Sequence, residues 1–342
     1  MKSLWITAFG GPEKLQIRES PDPLPGAGQV VIEVERAGLN FADIMGRVGL
    51  YPDAPKPPMV MGYEVAGRVT AVGADVRHVR AGDRVLAMPR FGGHANRARV
   101  DAWQVIKIPE QMSFDQAAAL PTNYLTAYHM LFQVGHLRPF DKVLIHMAAG
   151  GVGLAAIQLC RTVEGVEIFG TASLTKHDYL RQAGVQHPID YRSIDYAPEV
   201  RRLTAGKGVQ LILDPLGGKN WSKGYQLLAP TGQLIAFGWS SMVSGERRDL
   251  LRVLSELLSI KRFSPVSLMN DNRTVSGVNL GHLWDERELL SREMRSLLRL
   301  LEEGKIAPRV DRVFPLSAGA EAHRYIQERR NIGKVLFDCT AA

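Results

Sequence analysis

The fold is decided by residues 142–153, which read Lys-Val-Leu-Ile-His-Met-Ala-Ala-Gly-Gly-Val-Gly. An apolar run of strand length leads into a glycine-rich turn, and a segment of helix length, 154–162, follows it. Gly150 and Gly153 permit a tight turn and close packing of the helix on the strand. Since the free N–H groups of such a helix N-terminus bind phosphate, the stretch predicts a nucleotide-binding strand–turn–helix unit. Ala148 stands where the usual fingerprint has its first glycine.

Segments of strand length and helix length alternate downstream of this turn. The pattern predicts strands at 143–147, 166–169, 187–190, 209–213 and 234–237. Between them it predicts helices at 154–162, 176–182, 197–203 and 219–228. Alternation of this kind is typical of right-handed βαβ units on a parallel sheet.

The sequence on either side of this region has a different character. Before residue 109 it is β-rich, since apolar Val30, Ile32 and Val34 alternate with glutamates. After residue 267 the pattern predicts a strand at 274–280, an amphipathic helix at 284–303, a short helix at 318–327 and a strand at 335–337. We therefore predict one β-rich domain, residues 1–122 and 268–342, interrupted by a nucleotide-binding domain, residues 123–267.

Composition and charge argue against several classes of protein. The 342 residues carry a net charge of +7, but the basic residues are scattered and no aromatic-interleaved basic stripe occurs, so we expect no nucleic-acid partner. The chain has no run of about 18 apolar residues and no signal-peptide pattern, so we expect a cytoplasmic protein without a transmembrane helix. Of the two cysteines, Cys160 falls in an apolar helical run and is predicted to be a buried thiol, while Cys339 is expected to be inert.

The end of the second predicted strand of the parallel sheet indicates which nicotinamide cofactor is bound. An NAD site has an Asp or Glu here, which accepts hydrogen bonds from the ribose 2′-hydroxyl. No carboxylate occurs at 170–176, where Ser173 and Lys176 stand instead. A hydroxyl and a cation suit a 2′-phosphate, so the sequence favours NADPH over NADH.

Several motifs resemble those of the medium-chain dehydrogenase/reductase superfamily, over nearly the whole chain. Residues 62–67, Gly-Tyr-Glu-Val-Ala-Gly, and 82–85, Gly-Asp-Arg-Val, resemble its general signature, and residues 141–161 resemble that of its quinone oxidoreductases. Further motifs are most similar to the vesicle amine transport protein branch of the zinc-free quinone oxidoreductases; they lie at 38–43, 49–51, 187–191, 214–218 and 278–281. This resemblance implies an α/β protein with a GroES-like β-rich catalytic domain and a Rossmann domain with a doubly wound parallel sheet. It also implies a homodimer and, because some animal members occur at membranes, leaves membrane association open.

The positions of the zinc ligands depart from the zinc-dependent members of this superfamily. There a His follows the glycine that matches Gly62, and a Cys stands near the position of Asn40. This chain has Tyr63 at the first position and no cysteine at the second. We therefore expect no metal at the active site.

The resemblance also implies roles for individual residues. Asn40 and Thr126 match positions near the nicotinamide, Lys176 and Tyr191 match those that hold the adenosine 2′-phosphate, and Tyr51 matches a position in the substrate cleft. The predicted catalytic residues are Asn40, Tyr51 and Thr126. The predicted cofactor-binding residues are Asn40, Thr126, Ala149, Gly150, Gly151, Val152, Gly153, Ser173, Lys176, Tyr191, Phe237 and Gly238.

These residues suggest hydride transfer from NADPH to a quinone or an activated enone, whose conjugation disperses the negative charge without a metal. Tyr51 or a water would supply the proton or a hydrogen bond to the developing oxyanion, unless Tyr51 only packs its loop. Asn40 orients the nicotinamide amide or the substrate carbonyl, or is only a turn residue.

Two alternative functions stay open: an alkenal or enoyl-thioester double-bond reductase, and an NADPH-binding protein associated with lipid or membrane that has little turnover.

The histidines show no metal-ligand spacing, and we expect them to be ordinary hydrogen-bonded side chains; they include His94, His129, His146 and His282.

Overall fold

The computed structural model describes residues 1–341, and its N-terminal third is a set of β-strands. These strands are β1 (Lys2–Ile6), β2 (Leu15–Glu19), β3 (Gln29–Leu39), β4 (Met59–Val60), β5 (Val65–Val72), β6 (Arg84–Ala87), β7 (Arg97–Asp101) and β8 (Val105–Lys107). A small antiparallel sheet has the order β2-β1-β4. The long strand β3 pairs with β5 on one side and with β7 on the other. Val30, Ile32 and Val34 are buried on β3 while Glu33 is exposed, so the predicted alternation is confirmed.

The middle of the chain forms a six-stranded parallel sheet. Its strands are β9 (Lys142–Ile145), β10 (Glu167–Ala172), β11 (His187–Asp190), β12 (Val209–Asp214), β13 (Leu228–Ala236) and β14 (Thr274–Gly277). The order is β11-β10-β9-β12-β13-β14, so the chain runs outward from β9 in one direction and then from β12 in the other. In such doubly wound sheets ligands bind at the carboxyl ends of the strands beside this switch point.

The position of β14 differs from the sequence prediction. The predicted domain division assigns residues 268–342 to the β-rich domain, yet β14 pairs in parallel with β13. Val275 packs against the core of the parallel sheet, which is what holds this strand there. The chain returns to the sheet of the first domain at β15 (Val310–Pro315) and β16 (Lys334–Asp338). Strand β16 pairs antiparallel with β3, and β15 pairs in parallel with β16, so this sheet has the order β15-β16-β3-β5-β6-β8.

Eleven α-helices surround the sheets in the described part of the chain. They are α1 (Phe41–Val48), α2 (Phe114–Ala119), α3 (Pro121–Tyr128), α4 (Gly151–Cys160), α5 (His177–Ala183), α6 (Tyr196–Leu203), α7 (Lys219–Tyr225), α8 (Leu250–Leu258), α9 (Pro265–Asp271), α10 (Arg287–Glu302) and α11 (Gly319–Gln327). A π-helical segment, His129–Val134, continues α3.

The long amphipathic helix predicted at 284–303 is α10, and its apolar stripe packs on the protein's own core. Leu290, Met294 and Leu297 are almost completely buried. The stripe therefore gives no support to a membrane contact by this helix. None of the helices in residues 1–341 combines the length and the apolarity that crossing a bilayer requires.

Candidate active site

The turn between β9 and α4 is shaped by glycines that have no room for a side chain. A Cβ at Gly153 would lie 2.5 Å from the Ala148 carbonyl oxygen, and one at Gly151 would lie 2.3 Å from the Asn123 amide nitrogen. The first N–H groups of α4 have no acceptor within the helix. They border the main cavity through Gly151, Val152 and Gly153, so this turn fits a pyrophosphate.

The end of β10 borders the same cavity with a cationic cluster. Lys176 donates two hydrogen bonds, each 2.6 Å long, to the carbonyl oxygens of Arg329 and Asn331, which leaves one ammonium proton for a ligand. Burial lowers the pKa of Lys176. Arg329 lies over the ring of Tyr191, with its guanidinium carbon 5.6 Å from the ring centroid. Burial raises the pKa of Tyr191, but the nearby Arg329 guanidinium outweighs this effect, so the pKa of Tyr191 is lowered.

Asn40 is held by a buried ion pair at the junction of the two domains. Its side-chain amide donates to Glu64 at 2.9 Å and its oxygen accepts from the Lys334 ammonium at 2.7 Å. Lys334 and Glu64 form the ion pair themselves, and both are at most 3% exposed. The second Glu64 oxygen accepts from the Thr122 N–H at the start of α3. These contacts fix the orientation of the Asn40 amide.

Asp43 has a structural role beside Asn40. Its carboxylate accepts hydrogen bonds from the backbone N–H groups of Asn40 at 2.7 Å and Gly62 at 3.2 Å. Asp43 is completely buried, which raises the pKa of its carboxyl. It caps α1 and joins that helix to the strand region before Tyr63.

Tyr51 lies in a loop of the catalytic domain that contacts the other side of the cavity. Its ring packs edge to face against Tyr63, with the centroids 6.2 Å apart. Burial and the nearby Asp53 carboxylate raise the pKa of Tyr51, so the hydroxyl keeps its proton at neutral pH and can donate a hydrogen bond. Thr126 differs: its hydroxyl donates to the Thr122 carbonyl at 2.7 Å, so toward the cavity it acts as an acceptor.

One cavity of about 980 Å³ joins these groups. All thirteen residues predicted from the sequence line it, although their roles stay predictions. They are Asn40, Tyr51, Thr126, Ala149, Gly150, Gly151, Val152, Gly153, Ser173, Lys176, Tyr191, Phe237 and Gly238. Among the described residues 1–341, no Asp or Glu lines the cavity, whereas three cations do: Lys176, Arg329 and Lys334. The cavity is therefore suited to an anionic ligand.

Several lining residues were not identified from the sequence. Arg329, Asn331 and Lys334 come from the end of the chain, after the parallel sheet is complete. The sequence shows the basic pair at 329–330 as two positive charges, but it does not indicate that they lie at the site. His129 and Trp284 also line the cavity. No local motif marks these residues, because the packing of the two domains brings them to the site.

The donor sets in the described part of the chain do not suit a metal. No group of three or more His, Cys, Asp or Glu side chains in residues 1–341 is arranged to hold an ion. Cys160 and Cys339 are both buried, and burial raises the pKa of both thiols. The predicted burial of Cys160 is confirmed.

Comparison with known proteins agrees with this architecture. Residues 26–110 match the alcohol dehydrogenase GroES-like domain, and residues 183–336 match the zinc-binding dehydrogenase family. The synaptic vesicle membrane protein VAT-1 homolog of Rattus norvegicus is 46% identical over 339 residues, which are 98% of this chain and 84% of the rat protein.

Two solved structures resemble the whole chain. Escherichia coli quinone oxidoreductase complexed with NADPH has a TM-score of 0.87 at 29% identity, covering 99% of this chain and 100% of the other. The CurK enoyl reductase has a TM-score of 0.84 at 28% identity, covering 98% of both chains. The predicted fold class and family are confirmed. The chain belongs to the medium-chain dehydrogenase/reductase superfamily of oxidoreductases and, within it, to the VAT-1 branch.

Proposed function

We propose that this protein is an NADPH-dependent reductase that transfers a hydride to a quinone or an activated enone without zinc. One observation carries the proposal: a single cavity contains a phosphate-binding turn, a cationic cluster and the polar side chains of Asn40, Tyr51 and Thr126, with no carboxylate in its described lining. We further propose that it acts in the cytoplasm as a homodimer.

The cationic cluster supports NADPH as the cofactor. The free proton of Lys176 and the guanidinium of Arg329 would bind the 2′-phosphate, and the Ser173 hydroxyl lies at the same end of the cavity. A carboxylate that would favour NADH is missing from the described lining. When bound, NADPH supplies the hydride from its nicotinamide ring.

The other end of the cavity supports an acceptor that needs no Lewis acid. Tyr63 stands where zinc-dependent members have a ligand, and its ring packs against that of Tyr51. Tyr51 would donate a hydrogen bond to the oxygen that becomes negative as the hydride arrives. Asn40, fixed by Glu64 and Lys334, would orient the nicotinamide or the acceptor carbonyl.

A double-bond reductase for alkenals or enoyl thioesters is the second candidate. The likeness to the CurK enoyl reductase supports it, since that protein matches the whole chain. A third candidate, an NADPH-binding protein associated with lipid, is supported by the VAT-1 relatives, which are named synaptic vesicle membrane proteins. Co-sedimentation with anionic vesicles at physiological salt tests this third candidate, and absence of binding would reject it.

The test of the main proposal is the oxidation of NADPH in the presence of ortho-quinones, para-quinones, enones and alkenals, with NADH as the comparison. We expect turnover with quinones or enones and a clear preference for NADPH. Absence of turnover with every acceptor, despite NADPH binding, would contradict the proposal.

A matched pair of variants tests the cofactor assignment. Lys176→Ala should raise the KM for NADPH roughly ten- to a hundredfold, the equivalent of one charge-assisted hydrogen bond, and change the KM for NADH little. The control is Lys207→Ala, which replaces an exposed lysine before β12 and should leave the KM values for both cofactors unchanged. Equal effects of Lys176→Ala on the two cofactors would contradict the assignment.

A further inference from the structure

A histidine and a glutamate form a buried pair beside the cavity. His129, the first residue of the π-helical segment, lines the cavity, and its Nδ1 is 2.9 Å from the Glu293 carboxylate on α10. The Glu293 side chain is 2% exposed and that of His129 is 9% exposed. His129 follows Thr126 by three residues, so both side chains lie on the same face of this helix. Short π-helical segments occur frequently at functional sites.

Packing alone does not explain Glu293. It lies among Leu290, Met294 and Leu297 on the buried face of α10, where an apolar side chain would pack without penalty. One of its carboxylate oxygens is buried and has no hydrogen-bond partner among the described residues. Burying a carboxylate in this way costs free energy, and such pairs beside a cleft are candidates for function.

The pair also determines which nitrogen of His129 is available. Because Nδ1 is hydrogen-bonded to Glu293, Nε2 is the ring nitrogen that can reach a ligand in the cavity. The hydrogen bond that the described residues make with the His129 ring goes through Nδ1. A ring that carries hydrogen on both nitrogens has on Nε2 a proton that it can release to a ligand in the cavity.

We propose that His129, oriented and paired by Glu293, donates the proton that completes reduction of the acceptor. The inference rests on the proposed reductase function. The hydride brings two electrons and one hydrogen to the acceptor, and NADPH becomes NADP⁺. The His129 Nε2–H bond breaks, its proton joins the anionic product, and the imidazole is left neutral until solvent returns a proton. Tyr51 then stabilises the oxyanion through a hydrogen bond, while His129 transfers the proton.

Kinetics of two variants and a matched control test this role. His129→Gln should lower kcat about a hundredfold, the usual effect of losing a general acid, with the acceptor KM and the NADPH Kd within about twofold of the original values. Glu293→Gln should lower kcat about tenfold, as a positioning residue would. His136→Gln, at an exposed position, should not change kcat. In His129→Ala, added imidazole should restore at least part of kcat.

A measurement without turnover provides the second test. In the ¹⁵N NMR spectrum of the unaltered protein with NADPH, we expect Nδ1 of His129 to carry the hydrogen that is bonded to Glu293, and this preference for Nδ1 to weaken in Glu293→Gln. Absence of hydrogen from Nδ1 of His129 in the unaltered protein would overturn the role, as would full kcat in His129→Gln. If the unaltered protein reduces no acceptor, the reductase function fails and this role fails with it. If it reduces quinones and His129→Gln does so equally well, only the role of His129 fails.

Discussion

At the residue scale, Asp214 has the clearest consequence for stability. It ends β12 with its carboxyl buried, where one oxygen accepts hydrogen bonds from the N–H groups of Leu216 at 2.6 Å and Gly217 at 3.1 Å. The other oxygen is buried without a partner among the described residues. Burial raises the pKa of Asp214 from 3.8 to about 6.

This pKa predicts how stability changes with pH. Because the folded pKa is above the unfolded one, Asp214 favours folding below about pH 4 and loses this contribution as pH rises through about 6. Asp214→Asn cannot ionise and can still accept both backbone hydrogen bonds. We expect its free energy of unfolding, relative to the unaltered protein, to rise by about 1–3 kcal/mol between pH 4 and 7.5.

Urea unfolding at the two pH values measures this difference. Asp178→Asn, whose side chain is 91% exposed, is the control and should show little change. A constant difference for Asp214→Asn at both pH values would contradict the expectation.

The Tyr51 hydroxyl is the second residue whose role can be tested. If it donates a hydrogen bond to the developing oxyanion, Tyr51→Phe should lower kcat tenfold or more, since one such donor is worth about 10²–10³ in preorganised sites. Tyr179→Phe, a half-buried tyrosine of α5 that does not line the cavity, should leave kcat unchanged. Unchanged turnover in Tyr51→Phe would mean that this tyrosine only packs its loop, which the sequence left as an alternative.

At the element scale, the loop that carries Tyr51 is attached to the turn after β14. The Asp53 carboxylate accepts hydrogen bonds from His282 at 2.9 Å and from the Asn279 amide at 3.2 Å. The hydrogen bond from His282 lowers the pKa of Asp53, so the carboxylate stays charged at neutral pH. These contacts join the Tyr51 loop to Asn279 and His282, which line the cavity, and loops beside a binding site commonly control release of ligand.

Removing this connection should make it easier for bound NADPH to leave the cavity. We expect Asp53→Ala to increase the dissociation rate of NADPH about two- to fivefold, since partly exposed contacts of this type contribute roughly 1 kcal/mol or less. Stopped-flow fluorescence of bound NADPH measures the rate. Asp285→Ala, at an exposed position nearby in the chain, is the control. An unchanged rate in Asp53→Ala would show that the loop does not limit release.

The elements also show where local sequence reasoning is sufficient. The strands and helices from β9 to β12 lie within a few residues of the predicted ranges, because each has its own period, glycine turn or cap. Helix α7 ends at Tyr225 rather than 228, because β13 begins at Leu228. No local feature of the sequence indicates which sheet β14 joins, since a short β-branched segment suits either sheet.

At the scale of the whole molecule, a strand edge and a set of apolar side chains remain uncovered by the described chain. Strand β14 is the last strand on its side of the parallel sheet, and the two helices before it in the chain expose apolar side chains: Leu250, Leu251, Leu254, Leu257 and Leu258 on α8, and Val266 and Met269 on α9. An open strand edge followed by exposed leucines is typical of a surface that another chain covers. We propose a second copy of this chain as the occupant, since an open edge can pair with its symmetry mate.

Light scattering at micromolar concentration tests this proposal. The unaltered protein should be a dimer, and the double variant Leu251→Asp with Leu258→Asp should be a monomer. Leu24→Asp, a leucine 79% exposed in the first domain, should remain a dimer. A monomeric unaltered protein, or binding of α8 to anionic vesicles in its place, would contradict the proposal.

The sequence by itself determined the parallel sheet, the glycine turn after β9, the absence of a carboxylate after β10 and the family, because each depends on residues close together in the chain. Only the tertiary structure brought Arg329, Lys334 and the His129–Glu293 pair to the cavity, and only it assigned β14 to the parallel sheet. The reason is physical: local periodicity and turn chemistry act over a few residues, whereas contacts between residues more than a hundred positions apart depend on how the domains pack.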